Sequence, residues 1–477
     1  MIGLVELMHA TVGSRSEEWC FASAEWCFAS AEFGIRSSEF GVRNEGNIKD
    51  IKNMKIKMRE MSYEQALSLP RLKRKTPRKP SRILATIVRL VSGMTLKKIG
   101  FTYTTERMEL VGKKEPCLIL MNHSSFTDMK LAFGIFYPRR MGIVTSVDAM
   151  SGILGKLMRL LGCTPTHKYV PDITLISDIK HMLKENKTSV LMYPEAGYSF
   201  DGRTTTLPRG LGVLIKRLDV PVITVITQGA FHRDPLYNML QIRDVKVSAH
   251  VKCIATPEEI RELSVAELDK RIDEAFGFDN FAWQRDNRVS INEPFRADGL
   301  HRILYKCPHC ETENEMEGKG TMLTCHACGR SWEMDEYGQL SATSGETKFA
   351  HIPDWYSWQR ECVRAELENG TYLLDTDVDI VVQVNLDGVV KIGQGHLRHD
   401  SEGFRLTGAD GKLDYKQSPV LSHTLYADYY WYEIDDVIGI GNNEISYFCF
   451  PKTKTSVTKA RLATEELYKM KKPARKR

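Results

Sequence analysis

Five short apolar runs, separated by helix-length segments, dictate how residues 101–253 can fold. The runs are Cys117 to Met121, Met141 to Ser146, Ser189 to Tyr193, Val220 to Thr227 and Val245 to Cys253. Each has the length of a strand buried on both faces. Asp172 to Glu185 and Leu207 to Leu218 read as helices between them. Strands that alternate with helices return to the same sheet in parallel, because a parallel neighbour needs a long crossover. The pattern predicts an α/β sandwich around a mainly parallel sheet.

The chemistry-bearing residues follow the first of these runs. Asn122-His123-Ser124-Ser125-Phe126-Thr127-Asp128 places a histidine and an aspartate just past a strand end, where open α/β sheets gather their chemistry. Imidazole takes a proton near neutral pH, and a carboxylate fixes its tautomer and stabilises the imidazolium. With no Ser or Cys nucleophile of its own, the pair suits activation of a substrate hydroxyl for acyl transfer. A surface histidine capping a turn would carry the same spacing. The third run ends in Pro194-Glu195-Ala196-Gly197-Tyr198-Ser199, and the fourth carries Pro221 near its start.

In order and interval these blocks resemble the glycerophospholipid acyltransferase family, the type that acylates lysophosphatidate. The family carries Asn-His-x-x-x-x-Asp, then Phe-Pro-Glu-Gly-Thr-Arg-Ser, then a Val-Pro-Val-Ile-Pro-like strand. The resemblance covers roughly residues 101–280. It implies that His123 is the general base and Asp128 its orienting carboxylate. It further implies that Glu195 helps bind a glycerol phosphate, with Gly197 and Ser199 in the same substrate-binding block. Ala196 stands where the family has Gly, Gly197 where it has Thr, and Tyr198 where it has Arg. The cation for a phosphate then falls to Arg203, with Arg209 behind it, or to His167 or Lys168 in the place of the family's Gly-x-x-Phe-x-x-Arg segment. The implied substrates are a lysophospholipid, 1-acylglycerol-3-phosphate foremost, and an acyl thioester of coenzyme A or acyl-carrier protein.

Two Cys-x-x-Cys pairs, Cys307/Cys310 and Cys325/Cys328, are separated by fourteen residues. That spacing predicts a zinc ribbon with a structural Zn2+, because four thiolates complete a tetrahedron and leave no place for water. His309 and His326 inside the knuckles are expected to be exposed. Of eleven cysteines only these four form a pattern, which points to a reducing, cytoplasmic setting rather than a disulfide framework.

The net charge is only +5, yet Arg71 to Arg82 holds seven basic residues and no acid. Followed by the apolar Ile83-to-Val91 stretch, it suits adsorption to an anionic membrane surface. A solvated linker is the plainer alternative. Ala149 to Leu161 suits either an amphipathic, bilayer-facing helix or a core helix. No run of about 18 apolar residues is present, so no transmembrane helix is expected. Met1 to Ala10 contains Glu6 and lacks the basic start of a secretory signal. Nucleic acid is not an expected partner: Glu311, Glu313, Glu315 and Glu317 face Lys319 alone between the Cys pairs, and such a ribbon repels phosphate.

Glu18 to Ala24 repeats as Glu25 to Ala31, with looser copies to Arg43. Adjacent Trp-Cys-Phe hydrophobics do not make a coiled-coil seam. The expected division is a repetitive segment 1–53, with Met54, Met58 or Met61 as the genuine start, and a basic membrane-contact segment 54–100. An acyltransferase domain 101–300, a zinc ribbon 301–340, a β-rich domain 341–460 and a basic tail 461–477 follow. In the β-rich part, Asp354 to Asn369 reads as an amphipathic helix. Val378 to Val390, Gly403 to Thr407, Tyr429 to Ile440 and Ile445 to Phe450 read as strands. Asp375, Asp377 and Asp379 read as a solvated strand face. Phe281-Ala282-Trp283 reads as a core edge. The competing functional reading is a catalytically silent lipid-binding scaffold, whose ribbon and β domain recruit a protein partner of unknown identity.

Overall fold

The computed structural model describes residues 58–168, 172–208 and 210–471. The repeats in 1–53, Arg209 and the end of the basic tail lie outside them.

The described chain opens with β1 (Met58–Glu60) and α1 (Tyr63–Ser68), whose Ser62 and Gln65 form a capping box. An extended basic stretch leads to α2 (Arg82–Lys98). The next elements are β2 (Thr102–Glu106), β3 (Leu118–Met121), α3 (Asp128–Phe136), β4 (Met141–Ser146), α4 (Gly152–Leu160), β5 (Cys163–Thr166), α5 (Ile173–Lys184), β6 (Ser189–Met192), α6 (Leu211–Leu218), β7 (Val222–Gln228), α7 (Ala230–Arg233) and β8 (Ser248–Ala255). Their strands form a seven-stranded sheet in the order β2-β8-β7-β3-β6-β4-β5. All pairings are parallel except β7 with β8, so β8 and its neighbour β2 run against the rest. The result is the expected α/β sandwich with a mainly parallel sheet.

Two strands carry no apolar run. β2 is Thr-Tyr-Thr-Thr-Glu and exposed throughout. β5 contains Pro165, tolerated because β5 is the sheet edge and its proline owes no ladder hydrogen bond. β3 and β6 are central neighbours, so the segments leaving their carboxyl ends must meet.

Three short helices, α8 (Pro257–Glu262), α9 (Val265–Phe276) and α10 (Asn280–Asp286), follow. Ser264 and Glu267 form a capping box on α9, and Phe281 on α10 is buried. A four-stranded antiparallel sheet, β9 (Met316–Lys319), β10 (Met322–Cys325), β11 (Ser331–Met334) and β12 (Leu340–Ala342), carries the cysteine knuckles. α11 (Ile352–Glu368) then buries Trp355 against Trp332, their ring centroids 5.0 Å apart.

The last sheet comprises β13 (Leu374–Gln383), β14 (Val389–Asp400), β15 (Gly403–Gly408), β16 (Leu413–Gln417), β17 (Tyr426–Trp431), β18 (Asp435–Gly441) and β19 (Ser446–Pro451), in the order β16-β15-β14-β13-β19-β18-β17. β1 adds to β14 in parallel. The run Val378 to Val390 is thus two strands, divided where Asp387-Gly388 turns the chain. Tyr429 to Ile440 likewise divides into β17 and β18. Asp375 and Asp377 pair with His396, and Asp379 with Lys391 and Lys452, on an exposed face.

The chain ends in α12 (Val457–Lys471). A free basic tail was expected from residue 461. Instead Arg461, Leu462, Ala463, Glu465, Glu466 and Leu467 are buried. One buried cluster joins Phe200, Phe231 and Phe281 of the first sheet's surroundings to Trp332, Trp355, the C-terminal strands and α12. The segment 54–100 is similarly divided. β1 and buried Tyr63 belong to the C-terminal sheet's surroundings, and Arg74 pairs with Asp172 and Asp178.

Candidate active site and cysteine cluster

Buried strand β3 delivers Asn122 and His123 to the carboxyl end of the sheet. Asn122 Oδ1 accepts from the amide (2.9 Å) and hydroxyl (3.1 Å) of Thr227, tying the end of β3 to that of β7. His123 Nδ1 lies 2.9 Å from Asp128 Oδ2. The same oxygen accepts from the Ser124 amide at 2.9 Å and the Ser125 amide at 3.2 Å. A carboxylate at the first residue of α3 is also favoured by the helix dipole. Held this way, Asp128 selects the His123 tautomer protonated on Nδ1 and leaves the Nε2 lone pair able to accept a proton. Burial pulls the imidazole's pKa below its ordinary value, and Asp128 opposes that shift. His123 is therefore neutral and able to accept a proton at pH 7.

The partner loop leaves β6. Tyr193 stacks on His123 at 4.2 Å and Tyr198 lies over it at 3.9 Å, with Phe126 stacked on Tyr198 in turn. Glu195 is fully buried. Its Oε1 accepts from the His123 amide (3.1 Å) and its Oε2 from the Thr205 amide (2.8 Å). Burial raises this carboxyl to about 7. The cavity beside it is about 10 Å³, and through these two bonds Glu195 braces two backbone segments. Ala196 sits at φ +57°, the left-handed region that glycine enters at least cost. The family's glycine therefore has a conformational reason at this position. Gly197 faces open space. Ser199 donates its hydroxyl to Arg203 O at 2.6 Å, and its amide donates to His123 O.

The structure therefore brings His123, Asp128, Glu195 and Ser199 together. Arg203 instead faces Asp201, Asp279 and Asp354 at 3.5–3.7 Å and donates to Ser357. Lys168 lies 4.7 Å over the Tyr426 ring, in the field of Asp148 and Asp428, and its charge reaches His123. Residues far along the chain also border the site. Tyr426 donates to Asp148 Oδ2 at 3.0 Å, and desolvation raises half-buried Asp428 to about 7. Arg461 donates to Tyr198 O and Thr205 Oγ1. Nothing in their local sequence marks them.

The four cysteine sulfurs of Cys307, Cys310, Cys325 and Cys328 lie within 4.8 Å of one another. Cys307 and Cys328 are 3.8 Å apart, and Cys310 and Cys325 are 3.7 Å apart. Metal–sulfur bonds of about 2.3 Å in a tetrahedron separate sulfurs by about 3.8 Å, so this set can hold a metal ion. His309 and His326 are exposed, and His326 pairs with Glu317.

Residues 102–228 match the protein family described as Acyltransferase. The 1-acyl-sn-glycerophosphate (LPA) acyltransferase PlsC of Thermotoga maritima is similar to the chain at 17% identity, with a TM-score of 0.31, over 40% of this chain and 78% of that one. A search of curated proteins finds no match. The family match brackets the His123–Asp128 pair, the Glu195 loop and the central strands that present them, and residues 102–228 are similar to that acyltransferase family.

Proposed function

We propose that the chain moves an acyl group from a thioester of coenzyme A or acyl-carrier protein to the hydroxyl of a lysophospholipid, 1-acylglycerol-3-phosphate being the first candidate. The observation that carries this reading is the His123–Asp128 pair, with Asp128 locked by two backbone amides. His123 Nε2 takes the hydroxyl proton as the oxygen attacks the thioester carbonyl. Asp128 stabilises the imidazolium. The tetrahedral intermediate collapses, the thiolate leaves, and the imidazolium returns its proton to the sulfur. Both substrates bind together, so no acyl-enzyme forms.

The proposed reaction takes place at an anionic membrane surface, a reading that the exposed face of α2 supports. On α2, Ile83, Ile87, Leu90 and Met94 are 75%, 40%, 68% and 67% exposed. At 100° per residue they fall within about 60° of arc, opposite buried Val88, Ser92 and Leu96. Arg82, Lys97 and Lys98 flank the stripe. Among the described residues no helix is long and apolar enough to cross a membrane, and the geometry suits a helix lying in the interface. The four cysteines would hold a structural zinc that joins the knuckles to the core around Trp332.

Release of free thiol from acyl-CoA, measured with a panel of lysolipids on anionic vesicles, tests the reading. Turnover requiring His123 supports it. Thioester left intact with every acceptor would favour the silent scaffold. Leu90→Glu should weaken vesicle binding while sparing turnover of a detergent-dispersed acceptor.

A further inference from the structure

The acyltransferase domain does not complete its own site. The loop 193–205 carries Glu195 and lays Tyr198 on His123, and one cation holds it at two points. Arg461 comes from α12, some 260 residues further along the chain. Its Nη1 donates to Tyr198 O at 3.1 Å and its Nη2 to Thr205 Oγ1 at 2.8 Å. Its Nε donates to Glu465 Oε1 at 3.3 Å, and its guanidinium lies 4.0 Å over the ring of Phe200 in the same loop. The side chain is 3% exposed.

We propose that Arg461 is a positioning residue of the acyl-transfer site, which clamps the 193–205 loop against His123 and so governs acceptor binding. The inference rests on the acyl-transfer reading above. The linkage is short. Thr205, held by Arg461 through its hydroxyl, gives its amide to Glu195, and Glu195 accepts the His123 amide. Ser199, next to the clamped Tyr198 carbonyl, gives its amide to His123 O. Arg461 thereby fixes the loop on both sides of the segment that packs on the base. Position 198, where the family resemblance leads one to expect an arginine, holds tyrosine, and the guanidinium of Arg461 binds that tyrosine's backbone carbonyl. Lysine would not replace it, because a planar fork with separate donors spans two acceptors and stacks on a ring, whereas an ammonium is a single point.

The clamp is itself anchored. Glu465 forms an ion pair with Arg360 at 2.7 Å and accepts from the Thr424 hydroxyl at 2.7 Å. Arg461→Met therefore leaves Glu465 paired and fills much of the vacated volume, which lets the fold survive the loss of the clamp.

The test uses the full chain with Arg461→Met and Arg461→Lys, assayed below their melting temperatures. Arg461→Met is expected to raise the acceptor KM by about tenfold while leaving the acyl-CoA KM within about twofold, and Arg461→Lys to recover part of the loss. A bystander in the fold would lower kcat with the folded fraction and move neither KM. Amide hydrogen exchange at Ser199 and Thr205 gives a readout independent of turnover, with faster exchange expected in Arg461→Met. An unchanged acceptor KM, or unchanged protection at both amides, overturns the clamp. Turnover that persists in His123→Ala would sink the acyl-transfer mechanism, and the exchange measurement would still decide whether Arg461 holds the loop.

Discussion

The two halves of the candidate site are built in opposite ways. The segment 122–128 is self-sufficient: His123, its carboxylate and both amides that hold that carboxylate lie within seven residues. The loop 193–205 is held from outside itself, by the His123 amide on one side and Arg461 on the other. A base must keep its tautomer through every turnover, and a short turn at a helix start achieves that with local hydrogen bonds. The loop 193–205 is shaped by what packs on it, here a helix from the far end of the chain. The His123–Asp128 pair should therefore depend chiefly on its own segment, the loop on residues anywhere that brace it.

The largest expected effect tests the self-contained half. His123→Ala should lower turnover by about 10³-fold or more, and Asp128→Asn by about 10²-fold, with melting behaviour nearly unchanged. Because burial holds His123 below its ordinary pKa, kcat/KM should rise with pH only in the acidic range, below about 6.5, and stay flat above it. Near-normal turnover by His123→Ala would remove the comparison altogether.

Next comes the ribbon, whose Cys307, Cys325 and Trp332 share a buried core with Phe200 of the loop. Cys325→Ser, or chelation, should cost several kcal/mol of stability and release about one equivalent of metal, while the surviving folded fraction keeps its KM values. Full stability without metal would contradict a structural role.

Glu195 joins the two halves, and its linkage has a definite sign. Its folded pKa of about 7 lies above its ordinary value of 4.5. The stability tied to its protonation is fully present below pH 4.5 and is lost as pH rises through about 7. The total is about 3 kcal/mol as an order of magnitude. Glu195→Gln should remove that slope, read as the difference between the two unfolding curves across pH 4–8. The variant also presents an amide NH2 to one backbone donor, so the loop should loosen. Parallel curves would mean that this carboxyl does not titrate in that range.

The smallest effect is local strain in the loop. Ala196→Gly should stabilise by about 0.5–1 kcal/mol in chemical denaturation, because glycine adopts φ +57° without the Cβ penalty. Destabilisation would indicate that the Ala196 methyl packs usefully.

The residues from Asn122 to Asp128 could be read directly, because a strand, a turn and a helix start are short-range events with their own residue signatures. The five apolar runs located the central strands for the same reason. β2 escaped because an exposed, threonine-rich edge strand has no burial pattern. β5 escaped because proline is a strand breaker everywhere except at an edge. The pairing of Asp375 and Asp377 with His396 was invisible for a third reason: cross-strand partners depend on register.

By itself the sequence determined the α/β class, the His123–Asp128 pair and the four-cysteine spacing, all set by hydrogen bonding and periodicity over a few residues. Tertiary structure alone decided that α12 is buried rather than a basic tail, that Arg203 faces three carboxylates, and that Tyr426, Asp428 and Arg461 border an active site hundreds of residues upstream. A charged residue in a helix looks the same in sequence whether water or a loop accepts its hydrogen bonds. Only the packing of one domain on another removes the water and makes the loop the partner.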